Sequence, residues 1–150
     1  MQCKSRVWML AMPAMLAMGM SAQAQPPAVC KPQDPPSVIS GGVGETELQA
    51  LRELEPGHNL KLVFTLEGGQ FVTDVDVQIR SAASGDILRH RARGPWLLAC
   101  LPAGSYTVFA EHEALRQSRT LLLGKGLRTE YLRWAAGADD MVLKPEPRSR

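Results

Sequence analysis

The chain has 150 residues, of which 45% are hydrophobic and 21% charged, with a formal net charge of +2 at pH 7. That length suffices for one folded domain with extensions. Lys4 and Arg6 account for the positive excess, because without these two the 17 basic residues fall to 15, against 15 acidic residues. The rest of the chain is therefore neutral and lacks the basic surface that would bind nucleic acids or anionic membranes. We expect neither as a partner.

The first 24 residues have the pattern of a secretory signal peptide. Lys4 and Arg6 precede an apolar run over residues 7–20, and Ala22-Gln23-Ala24 forms a small-x-small cleavage site. The apolar run is shorter than the ~20 residues that span a bilayer. We therefore predict cleavage between Ala24 and Gln25, a periplasmic or secreted mature protein, and no membrane span.

Two cysteines, Cys30 and Cys100, remain after that cleavage. An even number of cysteines in an oxidising compartment favours a disulfide between them. The alternative is one buried thiol and one thiol in the N-terminal extension. Residues 25–37 contain five prolines and are interpreted as an extended lead-in.

One helix is predicted, over residues 45–54. Thr46 is its candidate N-cap, and Leu48, Leu51 and Leu54 recur on one stripe. A helix this short needs a sheet to pack on. The preceding Gly-Gly-Val-Gly of residues 41–44 lacks the spacing of a phosphate-binding loop.

Strand patterns follow from residue 59 onward. Apolar residues alternate with polar ones in most of them, for example at Val75, Val77 and Ile79, which are expected to face inward. Residues 87–92 are polar enough for a sheet edge. A strand about every ten residues, with Gly or Pro turns, is typical of an all-β sandwich. We predict an antiparallel sandwich of about seven strands over residues 38–134, followed by a disordered tail over 135–150.

Residues 94–110 are interpreted as a β-hairpin. An apolar strand over residues 96–101 leads into Pro102-Ala103-Gly104, where a tight turn would give Gly104 a positive φ, and a second strand follows.

The run Leu101-Pro102-Ala103-Gly104-Ser105-Tyr106-Thr107-Val108-Phe109-Ala110 resembles the LPAGSYTVxA motif of carboxypeptidase regulatory-like domains. The resemblance implies a transthyretin-like (prealbumin-like) β-sandwich over about residues 60–134. Residues 40–44, 59–64 and 94–99 are similar to small proteobacterial secreted proteins that have this domain as their recognisable feature. The fold also occurs in 5-hydroxyisourate hydrolases, but their C-terminal Tyr-Arg-Gly-Ser is replaced here by residues 131–134, Tyr-Leu-Arg-Trp, so that activity is not expected.

Few residues are candidates for catalysis, metal binding or ligand contact. Glu111-His112-Glu113 has metal-ligand residue types, but neighbours on a strand point to opposite faces, which favours solvated edge charges. Asp74 and Asp76 share a face without the oxygen-rich loop that Ca²⁺ needs. We predict no catalytic residue, no metal and no cofactor. Phe109 and Trp134 remain as candidate ligand contacts, because exposed aromatic rings can stack on sugars or anchor a peptide.

The sequence is thus interpreted as a non-catalytic binding or interaction module of the cell envelope, with an envelope protein or a glycan as its partner. A second hypothesis is a metal-binding or hydrolytic protein that uses His112, Glu111 and His90. A third is a purely structural accessory subunit.

Overall fold

The structure, a computed structural model, describes residues 30–33 and 35–136. The predicted signal peptide, much of the lead-in and residues 137–150 of the predicted tail lie outside the described residues. In chain order the elements are β1 (Ser37–Gly41), α1 (Glu45–Leu54), a 3-10 turn (Glu55–Gly57), β2 (Leu60–Leu66), β3 (Val75–Ser81), β4 (Gly85–Ala92), β5 (Trp96–Cys100), β6 (Gly104–His112), β7 (Leu115–Leu123) and β8 (Arg128–Trp134).

The strands form two four-stranded sheets, which confirms the all-β sandwich with one short helix. Sheet I has the order β1-β5-β2-β8, and sheet II has the order β4-β3-β6-β7. All pairings are antiparallel except β2 with β8. There are eight strands in the described residues, not about seven. The additional strand is β1, which pairs with β5 from Ser37↔Cys100 to Gly41↔Trp96.

The main core lies between the two sheets and follows the alternation of the strands. Val75, Val77 and Ile79 are buried as predicted, while Asp76 and Arg80 between and beside them are exposed. From sheet I the core receives Leu60, Leu62, Phe64, Leu97, Ala99, Leu101, Leu132 and Trp134, and from sheet II Tyr106, Val108, Ala110, Leu121 and Leu123.

A second, smaller cluster lies on the other side of sheet I, where α1 packs. Leu51 of the helix meets Val63, Trp96 and Leu98 of the sheet, with Leu48 against them. This confirms that the short helix packs on a sheet, because burial of one apolar stripe supplies the stability that ten residues alone lack. Leu54, predicted on the same stripe, is exposed at the end of the helix.

The predicted N-cap was wrong. The helix begins after Gly44, and no side chain caps it. Instead the Glu47 carboxylate accepts the backbone N–H groups of Gly42 and Val43, both at 3.0 Å. The glycine-rich loop therefore binds a carboxylate of its own chain, and Thr46 is an exposed residue of the first turn.

The predicted hairpin was also wrong. β5 belongs to sheet I and β6 to sheet II, so the connection between them crosses from one sheet to the other. The reason is that both edges of β5 are already hydrogen-bonded, one to β1 and the other to β2. Gly104 is the first residue of β6, and its φ is not in the left-handed region. The Tyr106 hydroxyl donates to the Pro102 carbonyl oxygen at 2.7 Å, which braces the crossing.

The disulfide between Cys30 and Cys100 is present. The two Cα atoms are 5.6 Å apart, within the ordinary range for a disulfide. Cys100 ends β5 opposite Ser37, so the bond fastens the N-terminal extension to the same end of sheet I at which β1 begins.

Buried polar contacts hold the ends and sides of the sandwich. The Asn59 side chain donates to the carbonyl oxygens of Leu101 and Gly124 at 2.8 and 3.0 Å and accepts from the Leu101 N–H at 3.0 Å. On one side Ser40 of β1 bonds His90 of β4 at 2.8 Å. Within the described residues, no helix has the length and apolar character needed to cross a bilayer.

Candidate functional site

Trp134, one of the two predicted ligand contacts, belongs to the core. It is 2% exposed, its ring centroid lies 6.3 Å from that of Phe64, and its indole N–H donates to the Leu115 carbonyl oxygen at 2.9 Å. The prediction that it contacts a ligand was therefore wrong. A tryptophan at a strand end can still close a core when the neighbouring sheet offers an acceptor for its N–H.

The three residues of the metal or hydrolase hypothesis do not meet. His112 lies against the edge of the Trp134 ring, with centroids 5.8 Å apart, while Glu111 pairs with Arg116 at 3.0 Å. His90 instead bonds Ser40, on the opposite side of the sandwich. Among the described residues, no group of three or more His, Cys, Asp or Glu side chains could hold a metal ion.

His90 is half-buried where sheet I meets sheet II. Burial and, to a lesser degree, the neighbouring Arg93 charge lower the pKa of His90 from its ordinary value of 6.5. Both causes disfavour the imidazolium form. The residue therefore acts as a neutral partner for Ser40, and its position gives it a role in closing the sandwich edge.

Phe109, the other predicted ligand contact, lies on the outer surface of sheet II. In the register it stands between Gln78 of β3 and Ser118 of β7, with Arg89 of β4 beyond Gln78. Its ring is half-buried. We call the outward-facing residues of these four strands the sheet II face: Asp76, Gln78, Arg80, Asp86, Arg89, Arg91, Ser105, Thr107, Phe109, Glu111, Arg116, Ser118, Thr120 and the exposed apolar Leu122.

A row of charges crosses the sheet II face beside Phe109. Arg91, Asp76, Glu111 and Arg116 are consecutive partners across the four strands. Arg91 contacts Asp76 at 3.1 Å and Asp74 at 3.6 Å, and Arg116 contacts Glu111 at 3.0 Å. Asp74 and Asp76 therefore both contact Arg91, and this arrangement differs from that of a Ca²⁺ site.

A second group of paired charges lies on the other side of Phe109. Asp86 contacts Arg80 at 2.6 Å and Arg89 at 3.0 Å, and it accepts a hydrogen bond from Gln78 at 2.7 Å. The Arg89 hydrogen bond is the largest cause that lowers the pKa of Asp86 from its ordinary value of 3.8. Exposed pairs of this kind contribute little to stability, so their main effect is on what the surface can bind.

Between these groups the sheet II face has a depression of about 350 Å³, with Phe109, Gln78, Arg89 and the Asp76–Arg91 and Glu111–Arg116 pairs along it. Sequence reasoning found Phe109 but missed its neighbours. Their spacing was visible as alternation within β3, β4 and β7, but the alternation alone does not say which strands are adjacent.

A second groove of about 610 Å³ lies at the end of the sandwich where β5 crosses to β6, between the lead-in, the β3–β4 turn and the crossing. Small side chains line most of it. Burial raises the pKa of Tyr106, and its hydroxyl is already bonded to Pro102. The groove has polar side chains, among them Gln33, Ser84 and Ser105, but Tyr106, the one aromatic residue among the described residues along it, is buried. We therefore take the sheet II face, with its partly exposed Phe109, as the candidate site.

Comparison of the chain with protein-family models and with curated proteins finds no match to either.

Proposed function

We propose that the protein is a secreted, non-catalytic module of the cell envelope that binds a partner through the sheet II face. The observation that carries the proposal is the position of Phe109. Its half-buried ring lies in a 350 Å³ depression among polar and charged groups, which make up the sheet II face apart from Phe109 and the exposed Leu122. Exposed aromatic rings framed by polar groups are characteristic of recognition surfaces, because the ring gains from desolvation while the polar frame gives orientation.

Two observations support the rest of this proposal. The pattern of residues 1–24 is that of a secretory leader, and the Cys30–Cys100 disulfide suits an oxidising compartment. The two-sheet sandwich and the motif of residues 101–110 support assignment to the carboxypeptidase regulatory-like, transthyretin-like domains. The function inferred here rests on the site and not on that assignment, since one fold serves many functions.

Photocrosslinking in cells tests the binding face. A benzophenone amino acid replaces Phe109, and in a matched control it replaces Tyr131, which is 52% exposed on the other sheet. We expect an ultraviolet-dependent adduct from position 109 and none from position 131. No adduct from position 109, or equal adducts from both positions, would overturn the proposal.

Export is tested separately by N-terminal sequencing of protein from the envelope fraction. The expected first residue is Gln25. Protein that begins at Met1 and resides in the cytoplasm would contradict the proposed location.

A further inference from the structure

We infer that the ligand of the sheet II face is a neutral polysaccharide segment that lies across the strands on Phe109. The inference rests on the proposed function, whose binding face it shares, and it adds the chemical class of the ligand. Three properties of the described residues support it: the pairing of the charges, the hydrogen-bonding capacity left over, and the apolar ring between them.

The charges that border the depression are already neutralised within the face. Arg91 is paired with Asp76, Arg116 with Glu111, and Arg89 with Asp86, all at 3.0–3.1 Å. An acidic ligand would have to compete with these carboxylates, and a basic one with the guanidinium groups. A neutral ligand can bind without separating any pair, so the charge pattern favours it.

The paired groups keep much of their hydrogen-bonding capacity. A guanidinium group has five N–H donors, and a carboxylate has about four acceptor positions. The Arg91–Asp76 pair uses one short contact, and both side chains are about 60% exposed. A sugar hydroxyl both donates and accepts, so it can bond to either member of such a pair. The sheet II face thus offers donors and acceptors side by side within its ion pairs.

Phe109 provides the apolar contact. The C–H groups on one side of a pyranose ring form an apolar patch, which gains from being removed from water against an aromatic ring. In the same row lie Arg89, Gln78 and Ser118, whose polar groups can bond the hydroxyls at the rim of the sugar. The ligand would thus meet an apolar floor and polar sides.

The dimensions suit a short stretch of chain. Four strands about 4.8 Å apart span about 14 Å from β4 to β7. The depression of about 350 Å³ is shallow and runs between the two groups of charges. A volume near the lower end of the ~300–1,000 Å³ range of small-molecule sites accommodates a few sugar units of a longer polymer.

The test is calorimetric titration of the mature protein with two neutral hexasaccharides, cellohexaose and maltohexaose, and with the acidic hexagalacturonate. We expect saturable binding of at least one neutral probe at millimolar concentration, with little dependence on salt. Binding of the acidic probe alone, weakened by salt, would overturn the inference, because it would show that charge drives recognition. If neither neutral probe binds saturably, the inference is overturned as well.

Variants assign the binding to the sheet II face. Phe109→Ala is expected to lower the affinity for the neutral probe roughly tenfold or more, while Tyr131→Ala leaves it unchanged. Arg116→Glu places two carboxylates together and is expected to weaken binding, and the double change Glu111→Arg with Arg116→Glu restores the pair and the binding. Neutral-probe binding that survives Phe109→Ala would contradict the inference.

The same experiments separate this inference from the proposed function. If the adduct at position 109 is digested by protease and the neutral hexasaccharides do not bind, the face binds a protein, and only the polysaccharide inference fails. If position 109 gives no adduct at all, the proposed function fails as well.

Discussion

The two sheets of the sandwich carry different outer surfaces, and an aromatic residue on each shows the difference. On sheet I, Trp96 is 9% exposed beneath α1, and the Lys61 ammonium group lies 3.4 Å from the centroid of its ring. On sheet II, Phe109 is half-buried with no helix of the described chain over it, and the neighbouring cations contact carboxylates on the same surface. The difference is that sheet I has a cover and sheet II, in the described residues, has none.

Whether a sheet is covered on its outer side determines the residue pattern of its strands. A covered sheet is apolar on both sides, so β5 has five buried residues in succession, Trp96–Cys100. An uncovered sheet alternates, so Val75, Val77 and Ile79 are buried while polar groups lie between them. Removal of the Trp96 ring should therefore disrupt folding, and removal of the Phe109 ring should disrupt binding.

The first prediction compares the two aromatic residues directly, and it has the largest expected effect. Trp96→Ala leaves a cavity under α1 and is expected to lower the free energy of unfolding by about 3–5 kcal/mol. Phe109→Ala is expected to cost about 1 kcal/mol or less, because its ring is partly in water already. Urea denaturation measures both.

Trp96→Phe refines this prediction. The indole N–H of Trp96 is buried and has no hydrogen-bond partner in the described residues. The loss of that group therefore breaks no bond, and we expect a cost of about 1 kcal/mol. Equal losses from Trp96→Ala and Phe109→Ala would contradict the contrast between the two faces.

The second prediction concerns the place where the chain enters the covered sheet. A Cβ atom on Gly94 would lie 2.2 Å from the Gly41 carbonyl oxygen, so two backbone segments approach more closely than any side chain allows. We expect Gly94→Ala to lower the free energy of unfolding by about 1–3 kcal/mol. Gly124→Ala is the control, since nothing lies within 4 Å of its added Cβ. Equal denaturation midpoints for the two variants would show that β1 can move away without cost.

The third prediction concerns the turn between β6 and β7 of the uncovered sheet. Glu113 and Ala114 have φ values of 48° and 65°, which suit a tight hairpin turn but are unfavourable for residues with a Cβ atom. Ala114→Gly should raise the free energy of unfolding by about 0.5 kcal/mol, after the larger chain entropy of glycine is subtracted.

The control for this turn is Gly85→Ala, at a φ of 82° in the first residue of β4, directly after the turn from β3. It should have the opposite sign, because it introduces a Cβ atom where the backbone is left-handed. Thermal denaturation of both variants measures the effect. A stabilising Gly85→Ala would refute the argument from backbone conformation.

The fourth prediction has the smallest expected effect and concerns His90, where the two sheets meet. Its pKa in the folded protein is lowered from 6.5, so as the pH falls the unfolded chain takes up a proton first. Stability is therefore expected to decline as the pH falls through about 6.5, until the lower pKa of the folded state is reached. His90→Gln should reduce that slope while it retains a partner for Ser40. Identical slopes in the parent and the variant would assign the decline to other groups.

Sequence patterns predicted the class of fold because period-two alternation and regular turns are local signals. The helix over residues 45–54, the inward side of β3 and the edge position of β4 all follow from residues near one another in the chain. The Cys30–Cys100 pairing followed from the count of cysteines and agrees with the structure. Phe109 was found because it stands opposite the inward stripe of its own strand.

Strand pairing was not predictable in the same way. β5 and β6 are separated by a short turn, and local reasoning joined them in a hairpin, but β1 and β2 occupy both edges of β5. Trp134 looked free at a strand end until β7 supplied an acceptor for its N–H and Phe64 a surface for its ring. In each case the deciding partner comes from a different part of the chain.

Residue type and alternation along each strand therefore specify which side chains avoid water, and both can be seen in the sequence. The neighbours of each strand follow only from the folded arrangement, and with them the row Arg91, Asp76, Glu111 and Arg116 and the depression around Phe109. The physical reason is that a site on a sheet surface is built across strands, from residues that are close in register and distant in sequence.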